Sequence, residues 1–405
     1  MKKFHHFIAL SRNVKRMILL LADSILLISA LWISFSLRLG ILYFPEKSEI
    51  CRQILRRQPK LLLLFDQNEF ALYTIHSELL LLLNKLFTEE RQLFTKIGSI
   101  NNMENKAMKL LLLGKNGQIG FELQRSLAPL GELIALDRVE CDLTDQYGMK
   151  LIIREHKPDV IVIAAAYTAV DKAETEEELA YTINRESTKI IGEEAARLGS
   201  LVIYYSTDYV FDGFKKSPYS ENEIPNPLNV YGASKLAGEK ELQASGANHI
   251  IIRTSWVVGV HGKNFAKTIL RLAVERNEIS IVADQFGAPT SAALIADVTS
   301  HIIRQLDQAD TDKDLNHIYH LVADGKTNWH EYACHIIERT RKAGKPMKLS
   351  TEAVKAIEAI DYPLPAKRPV NSCLNNSKLR REFGLHLPDW RLGVDHILQQ
   401  LLYND

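Results

Sequence analysis

A parallel α/β sheet covered by helices on both faces is the fold this sequence predicts, with a smaller C-terminal lobe and a helical N-terminal extension. Three observations predict it. From Lys109 onward, short apolar runs alternate with helical segments. That is the pattern of strands buried on both faces and joined by crossover helices. The first apolar run leads directly into a glycine-rich turn, Gly114-Lys115-Asn116-Gly117-Gln118-Ile119-Gly120. The polar break Asn101-Asn102-Met103-Glu104-Asn105-Lys106 separates this region from a Leu-rich region of different character.

Composition bounds the function. At 46% hydrophobic residues, the chain can bury a sizeable core. Its 50 basic and 49 acidic residues leave a net charge of +1. No basic surplus argues for nucleic acid, and no acidic tail argues for a disordered partner segment. Cys51, Cys141, Cys334 and Cys373 show no CxxC spacing, so they suggest neither a zinc site nor a disulfide framework. A reducing compartment fits.

In the extension, residues 17–37 form an apolar stretch long enough to span a bilayer as a helix. Asp23 is its one costly residue and lies toward one end. Lys2, Lys3, Arg12, Lys15 and Arg16 precede the stretch and would keep that side cytoplasmic. A membrane helix is the reading this length supports, and a buried soluble helix is the alternative. Later Leu runs, 61–64 and 79–83, are too short to span. Residues 50–107 read as amphipathic helices or linker, and Met108 is placed to start an independent protein. The extension is therefore either an anchor or a fusion remnant. Leu10-Ser11-Arg12-Asn13-Val14-Lys15-Arg16, Ala22-Asp23-Ser24 and Ser34-Phe35-Ser36-Leu37-Arg38-Leu39-Gly40 resemble the start of capsule-type membrane-bound nucleotide-sugar dehydratases. The resemblance covers about the first 43 residues; the expected location is the cytoplasm, with a tether to the cytoplasmic face of the inner membrane if 17–37 is an anchor.

The α/β region predicts strands at Leu110–Leu113, Leu133–Leu136, Val160–Ala165, Leu201–Tyr205 and Ile250–Ile252. Helices are expected at 119–130, 178–198 and 231–244. Glycines between a first strand and a helix let the backbone approach a pyrophosphate, which then sits on the helix N-terminus. The spacing here is GxxGxxG rather than GxGxxG, so strand context carries the assignment. Gly114, Gly117, Gln118, Ile119 and Gly120 are the candidates, and close packing of a turn is the bland alternative. Asp137 closes the second strand, where an acid accepts from an adenosine ribose 2′-OH. Arg138 follows and could meet a 2′-phosphate, which leaves NADH and NADPH both open. Asp142 and Leu143 would border the adenine, and Ala166, Tyr167 and Thr168 follow the next strand. A Rossmann-type dinucleotide domain is therefore placed at 108–254, after the 1–107 extension and before a mainly substrate-binding lobe at 255–405.

Tyr231 and Lys235 lie one turn apart on a predicted helix and share a face. A phenol beside an ammonium is pushed toward ionisation, which suits proton transfer near neutral pH. Ser206 and Thr207 would supply a hydroxyl. A surface helix with coincidental spacing is the alternative for the pair alone.

These features occur in order with Ala164-Ala165-Ala166-Tyr167-Thr168-Ala169-Val170-Asp171-Lys172-Ala173-Glu174, Ser206-Thr207-Asp208-Tyr209-Val210-Phe211-Asp212-Gly213 and Asn226-Pro227-Leu228-Asn229-Val230-Tyr231-Gly232. Arg253-Thr254-Ser255-Trp256 and Gln285-Phe286-Gly287-Ala288-Pro289-Thr290 follow. Together, over about residues 108–400, they closely resemble the dTDP-4-dehydrorhamnose reductases, extended short-chain dehydrogenases/reductases whose motifs are confirmed by strand context. The resemblance implies that Tyr231 donates the proton and that Lys235 binds the nicotinamide ribose and lowers the Tyr pKa. Thr207 would hydrogen-bond near the reacting oxygen. It implies that Gly117, Gln118 and Ile119 hold the pyrophosphate. The remaining cofactor wall would be Asp137, Arg138, Asp142, Leu143, Ala166-Tyr167-Thr168 and Tyr205. Thr207, Asp208 and Trp256 would face the sugar nucleotide. The implied reaction is reduction of a dTDP-4-keto-6-deoxy sugar at C4, within dTDP-rhamnose, O-antigen and surface-polysaccharide biosynthesis.

The chain departs from the family's pattern at two positions. Ile163 replaces a frequent Asn and continues the strand. Ala293 replaces a Glu that in some relatives joins the Glu122 equivalent to hold magnesium at a dimer contact, which puts magnesium and a metal-bridged homodimer in doubt. Dehydratases of this fold carry Asp-Glu after the Thr, whereas Tyr209 follows Asp208 here, so net reduction is favoured over elimination or epimerisation. A non-catalytic NADP-binding regulatory subunit is the reading from another class, and the filled hydroxyl, Tyr and Lys positions speak against it. His317, His320, His330 and His335 lack metal-ligand spacing. The run Glu174–Glu178 reads as a solvated helix start, and Arg368 as a diphosphate ligand or a surface residue.

Overall fold

The computed structural model describes residues 107–307 and 316–403. The helix expected at 17–37 and the linker after it lie outside those residues. Among the described residues, no helix is long and apolar enough to cross a membrane.

Strands β1 (Met108–Leu113), β2 (Gly131–Leu136), β3 (Val160–Ile163), β4 (Leu201–Thr207) and β5 (Asn248–Thr254) form one sheet. A sixth strand, β6 (His317–His320), joins beside β5. Every pairing is parallel, and the strands lie in the order β2-β1-β3-β4-β5-β6. The order reverses between β1 and β3, which opens a crevice at the strands' carboxyl ends.

The apolar runs feed two cores. In β1, Leu110 and Leu112 enter one core while Leu111 and Leu113 enter the other. Alternation at period 2 thus explains why a strand buried on both faces reads as a continuous Leu run. Each buried Leu contributes roughly 1.5–3 kcal/mol relative to exposure. The short β6 was not among the predicted strands. Its histidines break the apolar signal, although His320 and Tyr319 are buried.

Helix α1 (Gln118–Leu127) stops short of the expected 130, because Pro129 follows in a 3-10 turn at Ala128–Leu130. After α2 (Gln146–His156), the segment expected as one helix at 178–198 is interrupted by a π-helical turn, Thr182–Glu186. α3 (Ser187–Leu198) then runs to Gly199, a left-handed C-cap. α4 (Val230–Ala244) starts at Asn229, whose side chain accepts from Gly232 N at 2.8 Å.

Beyond β5 the chain builds a third core. α5 (Phe265–Glu275), α7 (Trp329–Lys342) and α8 (Trp390–Tyr403) carry most of its residues, including Ile269, Tyr332 and Trp390. Between them, α6 (Ala292–Asp307) returns to the main sheet: its Ile295, Ile302 and Ile303 join the same core as Leu110 and Leu123. Residues 292–307 and 317–320 therefore belong physically to the sheet.

Candidate active site

The cofactor end is shaped by missing side chains. At Gly114 the backbone has φ 95°, which glycine enters freely. A Cβ on Gly120 would stand 2.0 Å from Gly114 O, so helix and turn pack in direct backbone contact. Gly117, the N-cap of α1, provides no side-chain cap, and no acidic residue occupies the first turn. The first N–H groups of α1 are thus left for an anion, which the helix dipole favours.

A cavity of about 980 Å³ runs from this turn along the strand ends. Every predicted site residue lines it except Gly120, which serves packing beneath the turn. Asp137 sits at the tip of β2. Its Oδ1 accepts from Val139 N at 2.9 Å and from Glu140 N, and its Oδ2 accepts from Asn116 Nδ2 at 2.9 Å. The Val139 amide, with these other donors and Lys115, holds the carboxyl below its usual range. Arg138 is mostly exposed and lies 3.5 Å from Asp142. Tyr205 touches the wall, but its hydroxyl pairs with Thr299 Oγ1 at 2.7 Å in the core. The turn's open N–H groups, the tight strand ends and an anionic Asp137 fit a dinucleotide. At the far end, the buried hydroxyls of Ser206 and Thr254 line the cleft with no protein partner among the described residues.

The catalytic end is shaped by buried polar groups. Thr207 ends β4; its Oγ1 donates to Asp208 Oδ1 at 2.9 Å and accepts from Tyr209 N at 3.1 Å. Tyr231 opens α4 and meets Tyr209 edge-on, ring centroids 5.8 Å apart. Lys235, one turn on, is 2% exposed, and its ammonium lies 3.9 Å from the centroid of the Tyr204 ring. One turn further, Glu239 is paired with Arg253 at 2.6 and 2.9 Å, both buried.

The electrostatics correct one expectation. Burial pushes the Tyr231 phenol up to about 12, with the Thr207 hydroxyl pulling it down and the Asp208 charge raising it. Burial also drives Lys235 down to about 7, against the upward pull of Glu239. The ammonium was expected to draw the phenol toward ionisation. Desolvation is the largest influence on both groups and favours their neutral forms.

Several contributors escaped the sequence reading. Asn184, in the π-helical turn, accepts from Tyr167 N at 2.9 Å and donates to Tyr167 O and Ser234 Oγ, tying the cofactor wall to α4. A π-turn interrupting a helix is a known marker of function, but nothing in sequence periodicity shows it. The acidic run is more than a solvated face: Glu174 accepts from Val230 N at 2.9 Å, and Glu176 from the Tyr167 hydroxyl at 2.6 Å. Trp256 holds a left-handed φ of 47° and stacks on Trp329 at 3.6 Å, and both line the cleft. His261 stacks on Phe121 and bonds Asn116 O at 3.0 Å, while Asn264 donates to Gln118 Oε1 at 2.9 Å. These contacts clasp the glycine turn from the second half of the chain. Arg368 is not at the cleft wall; it forms a two-pronged ion pair with Asp171 at 2.7 and 3.0 Å. The histidines are dispersed: His320 bonds Tyr219 O, His330 bonds Val354 O and His335 pairs with Asp395. Among the described residues, no three His, Cys, Asp or Glu gather as a metal site.

A parallel sheet with its reversal at a glycine turn, and a Thr, Tyr and Lys at the far end of the same cleft, define an extended short-chain dehydrogenase/reductase. The chain belongs to the family of the RmlD substrate binding domain, whose model matches residues 108–403. It is similar to the dTDP-4-dehydrorhamnose reductase of Escherichia coli K12, 50% identical over 298 residues that cover 73% of this chain and 98% of that protein. Among solved structures it is similar to the dTDP-4-dehydrorhamnose reductase of Bacillus anthracis in complex with NADP. That match has 34% identity and a TM-score of 0.65, and covers 72% of this chain and 99% of the other. The dTDP-glucose 4,6-dehydratase of Streptomyces venezuelae, 17% identical with a TM-score of 0.60, covers 72% of this chain and 96% of its own and shares the fold alone. A second model, described as a polysaccharide biosynthesis protein, matches residues 47–111.

Proposed function

We propose that the cleft reduces the C4 ketone of dTDP-4-dehydro-β-L-rhamnose to dTDP-L-rhamnose with NADPH or NADH, in surface-polysaccharide biosynthesis. The observation that carries the proposal is the joining, in one cavity, of an uncapped glycine turn and the Thr207, Tyr231 and Lys235 cluster.

A bound reduced nicotinamide supplies the hydride. Gly114, Gly117, Gln118 and Ile119 hold its pyrophosphate. Asp137 and Arg138 meet the adenosine ribose, while Asp142, Leu143, Ala166, Tyr167, Thr168 and Tyr205 complete the wall. Tyr231 keeps its proton at neutral pH and gives it to the oxygen developing at C4, an alkoxide basic enough to take it. A negatively charged dinucleotide favours the ammonium of Lys235 over the neutral amine, which restores a positive charge beside that oxygen. Asp208 and Trp256 border the sugar nucleotide.

Incubation with the keto sugar and each reduced cofactor in turn tests this reading, with loss of nicotinamide absorbance expected in step with sugar consumed. Sugar turnover without absorbance change would replace it with a redox-neutral reaction such as epimerisation. Binding of cofactor with no turnover would replace it with a regulatory role. A membrane tether through 17–37 and a homodimer belong to the same proposal. Equal solubility of the full chain and of a chain starting at Met108 would remove the tether, and a monomer mass in solution would remove the dimer.

A further inference from the structure

One hydroxyl proton at the catalytic end has more claimants than it can serve. Thr207 carries a single O–H, and it is donated to Asp208 Oδ1 at 2.9 Å. One of its lone pairs already accepts from Tyr209 N. The oxygen developing on a substrate beside Tyr231 needs that same proton, because a hydrogen bond aimed at forming charge is what lowers the barrier. While Asp208 is a carboxylate it competes directly with that oxygen, and charge-assisted hydrogen bonds are the stronger ones.

Asp208 lines the cleft, but its carboxyl is almost wholly enclosed. The residue is 4% exposed, and its Oδ2 is buried without a hydrogen bond of ordinary geometry, with the Ser372 hydroxyl nearby. The groups that face it are Thr207 from β4, the adjoining Tyr209, Tyr231 from α4, and Ser372 and Cys373 from the C-terminal segment. These are hydroxyls, phenols and a thiol.

We propose that Asp208 is a positioning residue: as a carboxylate it takes the Thr207 proton, and as a carboxylic acid it releases that proton to the reacting oxygen. The inference rests on the reductase reading. Burial pushes the Asp208 carboxyl up to about 6, against the Ser372 and Thr207 hydroxyls, so the exchange falls within an assayable range.

The test is the pH profile of kcat at saturating keto sugar and NADPH between about pH 5.5 and 8. For the natural protein, kcat rises by roughly 10²-fold as pH falls through the titration of Asp208, the scale of one gained oxyanion donor at its lower end. Titration of Lys235 gives a separate feature at higher pH. Asp208→Asn loses the lower step, because an amide does not titrate whichever way it turns, and it keeps the Lys235 feature. Thr207→Val lacks the shared proton, so its residual activity also shows no lower step. A natural protein without the step, or either variant that retains it, overturns the proposal. Should Asp208→Asn not fold, as read by loss of NADPH binding, the Thr207→Val profile decides alone. Turnover of keto sugar at any pH supports the reductase reading independently of the step, so the two failures are distinguishable.

Discussion

The two ends of the cleft are built by opposite means. At the glycine turn, atoms have been left out: Gly114 and Gly120 let backbone approach backbone, Gly117 adds no side-chain cap, and the first N–H groups of α1 remain open. Along α4, polar groups have been buried: Lys235 and Glu239 sit within a helix capped by buried Asn229, whose Gly232, Ser234 and Gly238 are buried as well. The first design has a cost only when a side chain is added. The second costs stability continuously, because each buried ionisable group is desolvated. A substitution at the turn should therefore damage the fold and cofactor binding together, whereas one on α4 should separate chemistry from stability.

The largest effect expected from that separation is in Tyr231→Phe. Removing the hydroxyl deletes the proposed proton donor and leaves the ring against Tyr209, so kcat should fall about 10²–10⁴-fold. NADPH affinity, measured by fluorescence titration, should change little. A comparable loss of cofactor binding would break the distinction between the two ends.

Lys235→Met is next, and its two effects have opposite sign. Activity should fall by roughly 10²-fold with loss of the charge near the reacting oxygen. Stability of the empty protein should rise, on the order of a few kcal/mol, because a buried group with a depressed pKa is replaced by an apolar one. Lys235 titrates near 7 in the folded chain instead of at its ordinary 10.5. Between those values the unfolded chain holds a proton that the folded chain lacks, so stability rises with pH across the window and levels off below it. Denaturant midpoints from pH 7 to 10 should climb in the natural protein and lose that component of the slope in Lys235→Met. An unchanged slope would mean that Lys235 is not desolvated.

At the other end, Gly120→Ala places a methyl 2.0 Å from Gly114 O, backbone that cannot swing aside. Overpacking of this kind costs typically about 1–3 kcal/mol. Both thermal stability and NADPH affinity should fall, the joint loss that α4 variants avoid.

The same contrast explains what sequence could show. Alternating apolar runs exposed the sheet, since β1 to β5 each bury side chains on both faces. Gly114, Gly117 and Asp137 were readable because their offsets from strand ends are set by local geometry. Tyr231 and Lys235 were readable as a pair one helical turn apart. Their protonation was not, because it depends on how much water the neighbouring elements exclude, and spacing carries no such information. Asn184, Trp329 and His261 escaped for a related reason. Each acts through a partner distant along the chain, as in the bond between His261 and Asn116 and the stack of Trp329 on Trp256. Arg368, readable as an anion ligand or as a surface residue, gives both prongs of its guanidinium to Asp171.

The smallest effect concerns the side chains at the tip of β2. Asp137 is kept anionic by the amides of Val139 and Glu140 and the Asn116 side chain. An anion there accepts a ribose 2′-OH and repels a 2′-phosphate. Arg138, whose side chain is 76% exposed, meets Asp142 at 3.5 Å and can exchange that exposed ion pair for the phosphate. The two residues pull cofactor choice in opposite directions, so the natural protein should accept both NADH and NADPH. Asp137→Asn should shift the kcat/KM ratio toward NADPH, and Arg138→Ala should shift it toward NADH, each by about tenfold or less, as befits one solvent-exposed contact. Neither change should alter kcat with saturating cofactor, since both lie at the far end of the cleft from Tyr231. A ratio that stays fixed in both variants would mean that the adenosine ribose does not reach the tip of β2. The backbone-built turn would then be the sole determinant of cofactor binding at that end.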